Sequence, residues 1–527
     1  MNNGRFLKNA AVLTGTGLLL RAAGMLLRIL LAHLLGEEGM GLYSLTFTVY
    51  NLFITLAQSG IAAAVTRLVA QYLALRRSEE AKGALHGCLR WAMLLGCGAG
   101  AVLLLLGRFL AARWIGNGEC ALALRVLAFS LPFMAVSGCL NGYFVSRRAV
   151  RPGCVSQLLE QAVRMVIAVG AVFVFRGRGF SALLGAVVLA NTVSEAVSCL
   201  YLMAVSKRRP LAGEARPLPK GSIRRIAAPV AASRYLSTAL HTTENMLIPL
   251  AIAHYCGDYS LGLAQFGALK GMAIPLLFFP ASFLTALSSL LVPEVTDTSA
   301  REDWRATRAI VGRALGITVM LSVMIGGVFF LYGGELGRLL FHSETAGWML
   351  RVLAPITPFM YMDTIADGLL KGLDRQGKAL RNNTVDSVLR ILLIVVTVPR
   401  FGMGGFLGVM VVSNVLVCGL NMGTLLNACR LRLPWWEWVL RPLAAVGLAT
   451  ALWALLPLQR GAWQLVAGTV LWCGGYFLFY WLTLPAKKDI IKKRSGANEA
   501  DPAGMSGGSA HRGSGQKRRR AGAMPAK

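Results

Sequence analysis

Apolar runs long enough to cross a bilayer, about 20 residues each, recur about fourteen times in this chain of 527 residues. No other feature narrows the fold as much. Inside hydrocarbon the backbone has no water to bond, so each run must satisfy its own N–H and C=O groups. A spanning barrel would show strict apolar–polar alternation, and these runs show none. The sequence therefore predicts an all-α polytopic membrane protein. Its 15% charged residues fall well below the roughly 25% of a soluble chain.

The runs are not independent. Arg125-Val126-Leu127-Ala128-Phe129-Ser130-Leu131-Pro132-Phe133-Met134 returns as Arg351-Val352-Leu353-Ala354-Pro355-Ile356-Thr357-Pro358-Phe359-Met360. The register then holds without a gap: Gly142 meets Gly368, Glu160 meets Asp386 and Arg164 meets Arg390. One shift of about 226 positions is far longer than a solenoid repeat and marks a duplicated half. The first lobe has predicted spans near 11–35, 43–69, 87–107, 121–145, 155–175 and 181–205. The second has them near 224–253, 263–292, 309–332, 349–371, 382–399 and 405–428, and two more follow near 438–457 and 463–484. Six spans per lobe is an even number, so the lobes enter the membrane in the same direction as a parallel repeat. The predicted divisions are a six-helix lobe over 1–205, a linker over 206–223 and a second six-helix lobe over 224–430. Helices 13 and 14 occupy 431–484, and a disordered basic tail covers 485–527.

A formal charge of +30 would fit nucleic acid only if it formed one patch. Instead the basic residues sit in short loops between runs. Loops holding Arg147, Arg148 and Arg151, or Lys371, Arg375, Lys378 and Arg381, alternate with loops holding few cations. That asymmetry predicts a multi-pass protein of the plasma membrane with both termini cytoplasmic, and no nucleic-acid partner. Ten scattered cysteines without a C-x-x-C pair and six histidines without an H-x-x-x-H pair indicate no disulfide framework and no metal site. No nucleophile–base pair or phosphate loop stands out, so no catalytic residue is assigned.

Charges inside spans are the candidate site. Glu160 and Arg164, and Asp386 and Arg390, are i, i+4 pairs that share a helix face. A structural ion pair is the favoured reading, because an unpaired charge at mid-depth costs several kcal/mol or more. Arg21 and Arg28 share a face of span one, and Arg234 lies in a polar span seven with Tyr235, His241, Glu244 and Asn245. Arginines facing a wet cavity suit a diphosphate, since the guanidinium is a planar fork of donors. The alternative is that they pair with acids such as Glu195 or Glu244. Asp363 and Asp367 form a stripe on span ten that either binds a coupling proton or sodium ion or pairs with Lys371.

The run Gly39-Met40-Gly41-Leu42-Tyr43-Ser44 through Ser59-Gly60-Ile61-Ala62-Ala63-Ala64 carries a family resemblance. So do the tract Phe279-Pro280-Ala281-Ser282-Phe283-Leu284 to Val292-Pro293-Glu294 and the stretch Gly368-Leu369-Leu370-Lys371-Gly372-Leu373. Together they resemble the polysaccharide-export branch of the multidrug/oligosaccharidyl-lipid/polysaccharide exporter superfamily, related to lipid II flippases, over about residues 5–485. The resemblance implies two six-helix lobes around a central cavity that opens alternately to each side. It implies flipping of polyprenyl-diphosphate-linked saccharide, a cell-wall, spore-cortex or polysaccharide precursor, with lipid II among the candidates. Lipid II flippases place arginines in the first span. Arg21, in Arg21-Ala22-Ala23-Gly24, matches that position, while Arg28 stands one residue beyond the second. The extra helix pair resembles one that guides a lipid tail. The expected partners are the lipid-linked saccharide, membrane lipids and enzymes of envelope synthesis, with the chain acting as a monomer. No cofactor is implied, and a proton gradient, a sodium gradient or the membrane potential would supply the energy. Two rival readings are a multidrug cation antiporter of the same superfamily and a membrane enzyme that polymerises or ligates lipid-linked sugars.

Overall fold

The computed structural model describes residues 3–58, 60–175, 179–208, 210–219, 221–431, 435–454 and 462–483. The expected basic tail over 485–527 lies outside the described residues, as do Arg176, Arg178, Lys220, Arg432 and Arg460. Every regular element among the described residues is helical, and the described part of each predicted span lies largely on helix, with 59, 455–457 and 484 outside the described residues. The first lobe holds α1 (Asn3–Gln58), α2 (Ile61–Ala74), α3 (Ser78–Leu110), α4 (Cys120–Ala128), α5 (Leu131–Ser146), α6 (Val150–Phe175) and α7 (Phe180–Arg208). The second holds α8 (Ser222–Cys256), α9 (Tyr259–Phe266), α10 (Ile274–Phe278), α11 (Ala281–Ala300), α12 (Trp304–Phe341), α13 (Glu344–Leu353), α14 (Thr357–Gly372) and α15 (Gln376–Cys429). Two helices follow, α16 (Arg441–Ala454) and α17 (Ala462–Leu482).

By length and composition alone, seven of the described helices qualify as membrane-crossing, or eight if the bent α4–α5 pair counts as one span. The difference from about fourteen has a physical origin. Two helices each carry two spans, α1 across Gly36 (φ 66°) and α15 across Gly402 (φ 57°), where the left-handed backbone turns the chain back. Other spans are broken. Span two is interrupted between α1 and α2, and span ten between α13 and α14. Span seven, α8, carries several charges along its length.

The duplication is written into the backbone. Left-handed residues recur at the sequence shift: Arg76 with Glu302, Gly116 with His342, and Arg148 with Asp374. Such conformations are uncommon for residues with a side chain, so three coincident pairs mark equivalent loops. A proline stands in the first turn of both α5 and α14, where a missing N–H costs no helical bond. Gly142 and Gly368 each leave no room for a Cβ against the second span of their own lobe, near Ala62 and Ser288 respectively.

Large side chains such as Leu105, Val166 and Phe173 point outward, as expected of a surface that meets lipid. One apolar core runs through both lobes. A second, small core gathers Trp472 and Tyr476 of α17 and Ala445 and Ala449 of α16 against α12. Tyr476 Oη donates to the carbonyl of Met320 at 2.9 Å, and Trp453 Nε1 donates to Tyr332 Oη at 2.6 Å. The C-terminal pair is thus an appendage of the second lobe's third span.

The lobes meet closely at the end away from the basic loops. The π-helical turn Gly267–Ala273 brings Gly267 against the backbone of Glu37 and Gly41, and Gly271 against Met40. Ser343 Oγ donates to Glu37 Oε1 at 2.5 Å, and the His33 and His342 rings meet edge-on at 4.4 Å. Gly267→Leu should cost about 1–3 kcal/mol by overpacking this contact. Gly447→Leu on α16, where a Cβ meets open space, should leave the thermal unfolding midpoint in detergent unchanged.

Candidate functional site

The two predicted ion pairs are formed, and they differ in what surrounds them. In the second lobe Arg390 Nη2 donates to Asp386 Oδ2 at 2.6 Å, while its Nε donates to Ser413 Oγ at 2.8 Å. Ser413 in turn donates to Asp386 Oδ1 at 2.5 Å. Arg390 Nη1 also reaches Glu244 Oε1 of α8 at 3.4 Å. Lys270, from the π-helical turn, lies 3.5 Å from the same oxygen, and His241 lies 3.6 Å from Glu244 Oε2. Glu244 is 2% exposed, so its charge has lost nearly all its water. Two cations in direct reach offset that loss, as burial of a carboxylate requires. Spans seven, eight, eleven and twelve are thereby tied at one node.

The first-lobe node is leaner. Arg164 Nη2 donates to Glu160 Oε1 at 2.5 Å and reaches Glu195 Oε1 of α7 at 3.5 Å. Two carboxylates share one guanidinium, one acid in excess of the bases.

The polar stripe on α14 divides. Asp367 Oδ2 takes a bond from Lys371 Nζ at 2.6 Å, whereas Asp363 Oδ1 accepts from Asn421 Nδ2 at 2.8 Å. Asn421 Oδ1 also accepts from Asn382 Nδ2 at 2.9 Å. Asp363 therefore sits in a neutral amide network and Asp367 in an ion pair.

The arginines of the opening spans join none of these nodes. Glu195 and Glu244, the acids that could have paired with them, are bound to Arg164 and to Lys270 and Arg390 instead. Arg21 and Arg234 are exposed and Arg28 is half-buried. At 1.5 Å per residue, Arg28 lies about 12 Å from the Gly36 turn, Arg21 about 22 Å, and His241 and Arg234 about 24 and 34 Å from the Gly257 turn. These groups are spaced along the two opening helices. Arg21 lies level with His241, and Arg234 lies closer to the basic end. Between the lobes, span seven packs on span two. Asn245 Nδ2 donates to Thr48 Oγ1 at 3.3 Å, the Thr55 and Thr238 hydroxyls lie 3.1 Å apart, and Tyr235 Oη donates to the Leu56 carbonyl at 3.3 Å. Two cavities near the basic end, of about 720 and 280 Å³, are lined by neither Arg21 nor Arg28 nor Arg234.

Lys270 was not singled out from the sequence, although a lone lysine within span eight is itself a signal of function or pairing. Asn382, Ser413 and Asn421 carried no such signal. Neutral polar residues are ordinary in helices, and only the fold brings these three to Asp363 and Asp386.

Helical lobes of this kind, paired in parallel and pinned by buried charge, define a multi-pass membrane protein of transporter architecture. The chain belongs to the polysaccharide biosynthesis protein family, which matches residues 6–287. It is 24% identical to stage V sporulation protein B of Bacillus subtilis (strain 168) over 432 residues, which cover 80% of this chain and 83% of that one. It is 22% identical to the lipid II flippase MurJ of the same organism over 427 residues, 74% of this chain and 76% of that one. Among solved structures, lipid II flippase MurJ in an inward closed conformation superposes with a TM-score of 0.71, at 10% identity over 91% of this chain and all of that one. An inward-facing multidrug resistance transporter of the MATE family superposes at 0.65, with 16% identity over 77% and 94%.

Glu244→Gln strands Lys270, while Arg390 keeps Asp386, and should lower stability by about 3–5 kcal/mol. Adding Lys270→Met should return part of that loss. Glu195→Gln should cost less, because Arg164 keeps Glu160. Thermal unfolding of the three variants in one detergent checks the order.

Proposed function

We propose that this protein is a flippase that moves polyprenyl-diphosphate-linked saccharide, a cell-wall, spore-cortex or polysaccharide precursor, across the cytoplasmic membrane by alternating access. One observation carries the reading. The buried acids Glu195 and Glu244 have basic partners of their own, while Arg21, Arg28 and Arg234 form no ion pair among the described residues. Cations held in spanning helices without a carboxylate want an anion from elsewhere, and a diphosphate matches the guanidinium fork. The relatives named above, one a lipid II flippase, support the same class of cargo. In this reading the staged arginines hand the diphosphate through the bilayer while the lobes rock. Asp363, which has no cationic partner among those described, is the candidate group for ion coupling.

The basic loops face the cytoplasm in this proposal, with both termini on that side. The lobes are taken as 1–205 and 224–430 around the 206–223 linker, with helices 13 and 14 guiding the lipid tail, in a monomer served by envelope-synthesis enzymes. A multidrug cation antiporter would want acids, not arginines, facing the first-lobe cavity, and there Glu160 and Glu195 are both paired with Arg164.

In proteoliposomes the wild-type chain should move a lipid-diphosphate-linked sugar between leaflets without changing its mass. Arg21→Ala should reduce the rate at least tenfold, the loss expected of one charge-assisted contact of about 1.5–3 kcal/mol, with insertion and melting unchanged. Arg234→Ala should do the same. Wild-type rates in both variants would overturn the assignment, and a product of altered mass would point to an enzyme.

A further inference from the structure

We propose that the basic end of the inter-lobe joint is a binding site for an anionic phospholipid. The site is distinct from the transport path assigned above. It is the pair of adjoining cavities beside the linker. The larger, about 720 Å³, is lined by His86, Arg90, Arg216 and Arg224, and no carboxylate lines it among the described residues. The smaller, about 280 Å³, is almost wholly apolar. It lies among Ile61, Leu95, Ala227, Ala228, Ala231 and Ala232. The two share Trp91, Ile223 and Arg224, so they adjoin. A basic head chamber opening onto an apolar slot has the shape and polarity of one lipid, with a phosphate at the arginines and an acyl chain along the alanines.

The site is built rather than incidental. The linker is strapped onto the start of α3: Arg216 N donates to the Glu79 carbonyl at 3.2 Å, and Lys82 Nζ donates to the Gly213 carbonyl at 2.9 Å. Gly83 leaves no room for a Cβ beneath the Arg216 carbonyl, which fixes the strap closely on the helix. The nearby acid Glu80 approaches Arg216 only to 3.9 Å, leaving that guanidinium's donors largely open. His86, Arg90 and Arg224 form no ion pair among the described residues. The walls come from α3 and α2 of the first lobe and from the linker and α8 of the second. A lipid seated there ties the lobes together at the end opposite the Gly41–Gly267 contact.

The test uses the full-length protein purified in detergent and exchanged into bilayers of phosphatidylcholine or of phosphatidylcholine with phosphatidylglycerol. Bound lipid is counted by native mass spectrometry. Phosphatidylglycerol should be retained over phosphatidylcholine. The triple change Arg90→Gln, Arg216→Gln and Arg224→Gln should weaken that retention by about a hundredfold, since each basic residue near an anionic surface contributes comparably. Ala228→Trp, which fills the slot and spares the arginines, should also lower it, and inorganic phosphate should compete poorly. Equal retention of both lipids, an unaffected triple variant, or displacement by inorganic phosphate alone would each overturn the proposal. Because Arg21 and Arg234 are unchanged in these variants, failure here leaves the transport reading standing.

Discussion

A guanidinium or carboxylate withdrawn from water persists only beside its opposite. That constraint organises the second lobe. Arg390 and Asp386 of α15, Glu244 of α8 and Lys270 of the π-helical turn between α9 and α10 meet at one point. Their mutual neutralisation fixes how spans seven, eight, eleven and twelve face one another. Lys270 belongs to the same turn whose glycines press on the first lobe at Met40 and Gly41. The charge node and the contact between lobes are therefore parts of one element.

Against that background the opening spans stand apart. Their cations are not used to hold helices together, and they are spaced in depth from the Gly36 and Gly257 turns inward. The first-lobe node holds Glu160 and Glu195 on one Arg164, and neither acid forms an ion pair with Arg21, Arg28 or Arg234 among the described residues. The structure thus separates charges that pin the frame from charges that form no ion pair among the described residues. Both sets lie in a chain of the polysaccharide biosynthesis protein family.

Much of this was legible in the sequence, for identifiable reasons. Spans are read from apolar length, which is a local property, and the repeat from a ten-residue match with seven identities. The pairs Glu160–Arg164 and Asp386–Arg390 were readable because i, i+4 spacing puts them on one face whatever the fold does. The long-range partners were not. Glu244 lies 26 residues from Lys270 and 146 from Arg390, and no periodicity links such positions. Asp363 and Asp367 looked like one stripe, yet one takes an amide and the other a lysine, because only Asp363 faces α15. The breaks inside spans two and ten escaped hydropathy, which averages across a kink.

The central claim is that Arg21 and Arg234 look into water and meet a diphosphate there. Arg21→Cys and Arg234→Cys variants, reacted in bilayers with a membrane-impermeant thiosulfonate and read by peptide mass spectrometry, test it directly. Labelling at both positions, with protection by polyprenyl diphosphate and not by the uncharged polyprenol, is the predicted result. Cysteines that stay unreactive to the aqueous reagent, or that react equally with and without the lipid diphosphate, would contradict the account.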